Sequence, residues 1–356
     1  MAGLRNVRDL SRAACFSKVD KDATGTVRRP AMTASVQPIT IRDLRTIDEL
    51  NQLRAVEKDV WGMAGEDAIP LTIAIALKAS GNIFVGAFEE KHNSAKHGRH
   101  DDRGPTATEH PRTEKEKSEK EKLVGFAFGF LGREHGQTTI HSHMLAVLDA
   151  YRHLDLGAKL KHAQRERALA MGVHEMTWTF DPLQSRNAHF NFAKLGVLSE
   201  TYKVDFYGPE TSSNLHRNGT DRLWVRWLLG SRRVRDRIAG KNLGKDGAGG
   251  RAEILDALRL LAPLVRFDGK GKPARSDLGE ALARERISIE IPGDILAVEA
   301  ADMGLAREWR EATRWAFRES LKAGFFVSEF CRSMRGQQGP GAYLLQKGSL
   351  GELADS

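Results

Sequence analysis

Residues 138–196, TTIHSHMLAVLDAYRHLDLGAKLKHAQRERALAMGVHEMTWTFDPLQSRNAHFNFAKLG, read as a strand, a glycine-containing turn, a helix, a second strand and a second helix. In the first strand Ile140, Ser142, Met144, Ala146 and Leu148 alternate with His141, His143, Leu145 and Val147, the two-residue period of a pleated chain. Both faces are largely apolar, so the strand is expected to be central and covered. The turn Arg152–Gly157 leads into a helix from about Gly157 to Met171. Leu156, Leu160, Ala163, Ala170 and Met171 gather on one side of that helix, interrupted by Arg167. A helix entered through such a turn leaves several backbone N–H groups unsatisfied at the positive end of its dipole, a natural seat for phosphate oxygens.

Working outward, the order of motifs resembles the GNAT superfamily of acyl-CoA N-acyltransferases. Its signature in this region is Arg/Gln-x-x-Gly-x-Gly/Ala between a central strand and a helix. Arg152, Leu156 and Gly157 match it, with Ala158 following, whereas Asp155 stands where the first glycine belongs. An Asp there is compatible with a diphosphate if its side chain turns away, into a capping bond at the helix start. Asn187-Ala-His-Phe-Asn-Phe-Ala-Lys-Leu-Gly196 is similar to the second signature of that superfamily, in which a Tyr often protonates the leaving thiolate; here the position is Phe192. Ser142-His-Met, Trp178-Thr-Phe-Asp-Pro-Leu-Gln, His216-Arg through Thr220-Asp-Arg-Leu-Trp224, and Ile291-Pro-Gly-Asp-Ile295 resemble a poorly characterised bacterial branch with a C-terminal extension. The resemblance spans roughly Ile39 to the C-terminus.

That resemblance implies an α/β (mixed α+β) chain: a GNAT acyltransferase fold with a central mixed sheet flanked by helices, plus a small C-terminal α+β extension. It implies acyl-CoA (acetyl-CoA or succinyl-CoA) as cosubstrate, a small amine or amino acid as acceptor, and direct transfer with no metal. It implies contacts to CoA from Arg152, Leu156, Gly157 and Ala158, from the backbone near Leu145 and Val147, and from Asn187 and Phe190. For the chemistry itself, His143 is the preferred base, because an imidazole titrates near neutral pH and shares a strand face with Leu145 and Val147; a hydrogen-bonded core histidine is the competing reading, and His141 is the weaker candidate. Asp181 either binds the acceptor ammonium, orients His143, or caps the turn at Pro182. Tyr207 and Tyr202 are substitutes for the missing acid at Phe192. Arg222 and Arg226 either hold a carboxylate of acceptor or acyl group or are surface residues. Trp61, Glu66 and Asp67 could meet the acceptor, although a buried Trp and a solvated turn is the commoner arrangement.

The rest of the chain frames this unit. The 356 residues carry a formal charge of +8, which invites a nucleic-acid reading, but the basic excess concentrates in 1–37, 91–122 and 230–251. Nucleic-acid binding is therefore disfavoured, resting only on Ser231-Arg-Arg-Val-Arg-Asp-Arg237. Residues 1–37 read as a disordered tail, with Met32 an alternative start. Residues 38–229 read as the acyltransferase domain, interrupted at 91–122 by a disordered charged insertion, whose His92, His97, His100 and His110 show no metal-ligand spacing. Residues 230–251 read as a basic Gly-rich linker and 252–356 as the extension, beginning with a helix near Ala252–Leu264. Within the domain the periodicity predicts a strand at Pro38–Leu44, helices from Ile47 to Val60 and Pro70 to Ser80, and strands at 82–90 and 122–133. Two cysteines, Cys15 and Cys331, make no disulfide framework, and no apolar run is long enough to span a bilayer. A cytoplasmic protein, with self-association open, is the expectation. Two rivals stand beside the enzyme: a catalytically weakened CoA-binding or regulatory module, and a nucleic-acid-associated protein.

Overall fold

A computed structural model describes residues 38–62, 68–90, 121–208, 217–240, 261, 263–332 and 340–350. Residues 1–37, Glu66, Asp67, the four histidines of the insertion and most of the helix expected at 252–264 lie outside them.

The chain opens with β1 (Ile39–Asp43) and α1 (Ile47–Trp61). Thr46 accepts from the Glu49 N–H while the Glu49 side chain reaches back to the cap, and Gly62 closes the helix in the left-handed region. α2 (Leu71–Ala79), β2 (Ile83–Glu90), β3 (Glu121–Glu134) and β4 (Gln137–Val147) follow. Glu121 and Lys122, read as the end of the insertion, already belong to β3. A 3₁₀ turn, Asp149–Leu154, leads into α3 (Leu156–Ala170) and β5 (Glu175–Phe180). α4 (Ser185–Ala188) continues as a π-helical turn, His189–Leu195. The turn stops at Gly196 with φ 76°, where a Cβ would also lie 3.0 Å from the Arg237 side chain. β6 (Leu198–Lys203) and β7 (Arg222–Leu228) complete the first half.

α5 (Arg232–Ile238) occupies the start of the stretch expected to be linker, N-capped by Ser231. The second half adds β8 (Pro263–Phe267), β9 (Pro273–Arg275), α6 (Leu278–Leu282), β10 (Arg286–Ile291), α7 (Ile295–Ala301), α8 (Met303–Lys322), β11 (Phe325–Cys331) and β12 (Gly341–Lys347). Leu264, expected to end a helix, is instead in β8. The strands form one mixed sheet in the order β1-β2-β3-β4-β5-β7-β6-β11-β12-β10-β8-β9. The halves meet edge to edge where Val327 of β11 pairs with Ser199 of β6. Trp178, Phe192 and Trp227 from the first half share one buried apolar cluster with Trp309, Phe317 and Tyr343 from the second.

α1 and α2 cover one face of the first half through Phe84, Phe88, Phe126 and Phe128, and α3 covers the other through Val85, Ala127, Ile140 and Leu160. Along β4 the pairing with β3 slips: Met144 faces Phe128 and Ser142 faces Gly129, leaving His143 as the extra residue of a β-bulge. The bulge reverses the alternation. Ile140 and Ser142 point toward α3, but beyond His143 it is Leu145 and Val147 that do so, while Met144 and Ala146 join the α1 side. The expectation that His143 shares a face with Leu145 and Val147 is thereby corrected.

Candidate active site

β4 and β5 are parallel and pair at only two positions, Ile140 with Met176 and His141 with Thr177. Beyond these the strands part, and a cleft of about 370 Å³ opens between them. Its walls include Ser142, His143 and Leu145 from β4, Lys161 from α3, Trp178 to Asp181 from β5 and its end, and Asn187, Phe190 and Asn191 from the following helix. Trp61 of α1 and Leu296 of α7 also line it, so both halves of the chain contribute.

On the α3 side the first turn of the helix lies against Leu145 and Phe190 of the cleft wall. Asp155 precedes α3 in the left-handed region, φ 55°, and makes no side-chain cap, so the first N–H groups of α3 have no acceptor from it. The expected capping bond is absent because the Asp155 carboxylate instead pairs with Lys194 at 2.8 Å. That pair neutralises the charge that would oppose a phosphate. Gly157 has Phe190 and Leu145 about van der Waals distance away, 3.8 and 3.9 Å from where a Cβ would stand. Leu156 and Ala158 are buried and anchor the turn, while Arg152 lies exposed, bonded to Asp149 at 2.7 Å and to the Val147 carbonyl at 3.4 Å. Asn187 is exposed at the rim and Phe190 half-buried.

Deeper on the same side lies a polar network that sequence reasoning missed. Lys161, 2% exposed, donates to Ser142 Oγ at 2.6 Å, and Ser142 donates to Gln164 at 2.8 Å. Lys161 Nζ sits 3.6 Å from the centre of the Trp178 ring, whose N–H donates to Asn191 at 3.1 Å. No carboxylate pairs with this amine among the described residues, and burial pushes its pKa well below the ordinary lysine value. Gly129 makes the space: a Cβ there would stand 2.8 Å from the Gln164 amide and 2.9 Å from Ile140. The available signal was the spacing of Lys161, Gln164 and Ala168, which puts them on the inward stripe of α3 with Leu160.

On the other side His143 stands open to the cleft among aromatic rings, edge-on to Phe128 at 6.1 Å and 5.8 Å from Phe130. The aromatic wall partly desolvates the ring and holds its pKa below the usual histidine value. His141 stacks against Trp224 at 4.9 Å and bonds Thr177 at 3.2 Å; burial and the neighbouring His143 push its pKa down to about 4.

Asp181 lines the cleft, but its carboxylate is engaged: one oxygen accepts from the Leu183 N–H at 2.9 Å and the other from Arg310 of α8 at 2.7 Å. It therefore caps its turn, as Asp before Pro commonly does, and ties the second half to the cleft; no bond joins it to His143. Tyr207 is exposed beside the cleft, its hydroxyl 3.4 Å from Thr179 Oγ1. Tyr202 is half-buried and donates to Asp221 at 2.7 Å, which removes it as a free acid. Phe192 is sealed in the core against Phe180 and Tyr343. Arg226 is fully engaged with Glu175 and Glu200, so its reading as a carboxylate ligand is overturned. Arg222, 7% exposed, lines the cleft beneath Tyr207.

The basic stretch 231–237 is not an open patch. Arg233 and Arg237 turn inward to Glu329, and they bond the Gly196 and Ala193 carbonyls at 3.0 and 3.2 Å. Among the described residues no helix is long and apolar enough to cross a membrane, and no cluster of His, Cys, Asp and Glu could hold a metal ion.

No known family's profile matches the sequence, and no curated protein matches it. Solved structures do. A candidate acetyltransferase of the GNAT family from Desulfovibrio desulfuricans is similar at 14% identity and a TM-score of 0.37, covering 54% of this chain and all of that one. The ribosomal-protein-S18-alanine N-acetyltransferase of Escherichia coli is similar at 13% identity and a TM-score of 0.36, covering 54% of this chain and 94% of that one. Arabidopsis thaliana Naa50, in complex with a bisubstrate analogue, is similar at 14% identity and a TM-score of 0.36, covering 53% of this chain and 97% of that one. Likenesses at this level say nothing of substrate; what the chain can do rests on the residues around the parted strands.

Proposed function

We propose that this chain is an acyl-CoA-dependent N-acyltransferase of GNAT type, moving an acyl group to a small amine by direct transfer. The observation that carries the reading is the parting of β4 and β5 beside the uncapped first turn of α3. One end of the cleft thus offers backbone donors and a positive dipole to a diphosphate, and the parted edge of β4 offers its backbone to an extended pantetheine arm. Arg152, Leu156, Gly157 and Ala158 would form the diphosphate seat, with Leu145 and Val147 on the strand edge and Asn187 and Phe190 along the arm. Acyl-CoA supplies the acyl group activated as a thioester.

His143 faces the opposite side of the sheet and opens into the cleft, where an amine would approach. Its lowered pKa keeps it neutral at pH 7, so a ring nitrogen can take the proton that the amine nitrogen gives up as its bond to the acyl carbon forms. The carbon–sulfur bond breaks in the same transfer, and the Tyr207 hydroxyl is the protein group offered to protonate the departing sulfur. Asp181 serves by holding the cleft wall. Acetyl-CoA and succinyl-CoA both fit this scheme.

Calorimetry with acetyl-CoA and succinyl-CoA, followed by thiol release over a panel of amines, tests the proposal. Binding together with amine-dependent release of CoA is expected. Absence of heat with either thioester would sink it. The burial of Phe192, which leaves its position without an acid, favours a second reading: a CoA-binding module, identified by heat without turnover.

A further inference from the structure

Resting on the acyltransferase reading, we propose that the acceptor amine carries a carboxylate held by Arg222, so that the substrate is an amino acid or a similarly anionic amine. Arg222 begins β7 with its side chain buried in the cleft wall. Its Nη1 donates to the Asp221 carbonyl at 2.8 Å, and its guanidinium lies 5.1 Å from the Tyr207 ring centre. These contacts orient the fork without neutralising it.

Neighbouring arginines are each matched to an acid. Arg226 takes Glu175 and Glu200, Arg310 takes Asp181, and Arg314 takes Asp221 and Asp205. Arg222 alone of this group forms no ion pair among the described residues. None of its nitrogens is both sealed from solvent and without a partner, so the donors not used on Asp221 reach solvent, and the side chain lines the cleft. A buried guanidinium is retained at a cost in desolvation, and a carboxylate is the planar anion its remaining N–H groups match. Among the described residues lining the cleft the one carboxylate, Asp181, is engaged and does not compete.

The position of Arg222 on the sheet assigns the carboxylate to the acceptor and not to the acyl group. Leu223, Val225 and Trp227 of β7 point into the core beneath α3, the side of the diphosphate seat. Arg222, Trp224 and Arg226 alternate to the opposite side, where Trp224 stacks on His141 and where His143 opens into the cleft. Trp61 and Leu296 supply apolar surface at the mouth for the rest of the acceptor.

The test uses the full chain with acetyl-CoA and matched acceptors: phenylalanine against phenethylamine, leucine against 3-methylbutylamine, lysine against cadaverine. The amino acid is expected to exceed its decarboxylated partner in kcat/KM by about 100-fold or more, because the amine leaves buried donors unsatisfied. Arg222→Gln should collapse that ratio to about one, chiefly through KM, and Arg222→Lys should restore part of it, with thermal melting showing both variants folded. Equal use of the amines by the unaltered protein, or a preference that survives in Arg222→Gln, overturns the proposal. An Arg222-dependent preference for succinyl-CoA over acetyl-CoA moves the carboxylate to the donor and overturns the assignment to the acceptor. If acetyl-CoA binds but nothing turns over, calorimetry of phenylalanine and phenethylamine on the CoA complex decides: binding of phenylalanine alone, lost in Arg222→Gln, is required. Absence of any acyl-CoA binding is the distinct failure, which removes the underlying reading as well.

Discussion

Lys161→Met isolates the most unusual group in the cleft. Among the described residues the buried amine bonds only Ser142 and lies on the face of Trp178 without a carboxylate partner. Burial lowers its folded-state pKa below the unfolded lysine value of about 10.4. Between those two values the unfolded chain holds one more proton than the folded chain, so stability rises with pH, by at most about 1.4 kcal/mol per unit. The penalty is fully present below the folded pKa and gone above about pH 10.4. Methionine fills similar space and packs on Trp178 through its sulfur, giving up about 1 kcal/mol for the lost hydrogen bond to Ser142. The variant should therefore be less stable than the parent near pH 10.4, equal to it about one unit lower, and more stable at pH 7. Urea unfolding at half-unit intervals from pH 7 to 10.5 measures the difference. A difference that stays constant across that range would mean the amine carries the same charge folded and unfolded, and the desolvation reasoning fails.

Other perturbations separate structural from chemical roles. Arg310→Met should cost about 3–5 kcal/mol in denaturant unfolding, because it leaves Asp181 charged and unmatched in the cleft wall; adding Asp181→Asn should recover much of it, and no recovery would refute the pairing argument. Asp155→Gly places the residue suited to a left-handed turn at φ 55° and releases Lys194 from its neutralising partner, leaving a net positive charge at the start of α3. Acetyl-CoA should bind about two- to five-fold more tightly by calorimetry, and unchanged or weaker binding would dissociate this turn from the diphosphate. His143, with its pKa below the usual histidine value, should give a kcat/KM profile flat at neutral pH and falling on the acid side below pH 6.5. His143→Ala should lower the rate by about 10²–10⁴-fold and abolish that limb; a limb that persists assigns it elsewhere.

The order of strands and helices in the first half was legible because the apolar spacing switches between two and three-to-four residues from element to element and Gly196 closes the last helical turn. The faces of β4 were not. A period of two places His143 with Leu145 and Val147, and only the pairing with β3 reveals that His143 is an insertion that swaps the faces beyond it. Helical spacing places Lys161 on the inward stripe of α3, but its burial depends on Gly129 yielding room for Gln164 and on Trp178 arriving from another strand, which no local pattern shows. The sequence leaves Asp181 open between acceptor ligand, partner of His143 and turn cap, and its partner Arg310 lies 129 residues away, where no local pattern announces it. The arginines at 233 and 237 read as linker charge because their acceptor, Glu329, is supplied by a distant strand.

Among the described residues the twelve-strand order leaves two outer margins, β1 and β9. β9 is three residues long and begins with proline, and β1 carries Arg42 and Asp43, features that discourage a stranger's strand from adding on. A shortened chain ending at residue 230 would bare β6 as a fresh margin and strip Tyr343 from the Pro182 carbonyl behind the cleft. Such a fragment should clump rather than fold, and whatever the second half adds to specificity, it also hems the sheet.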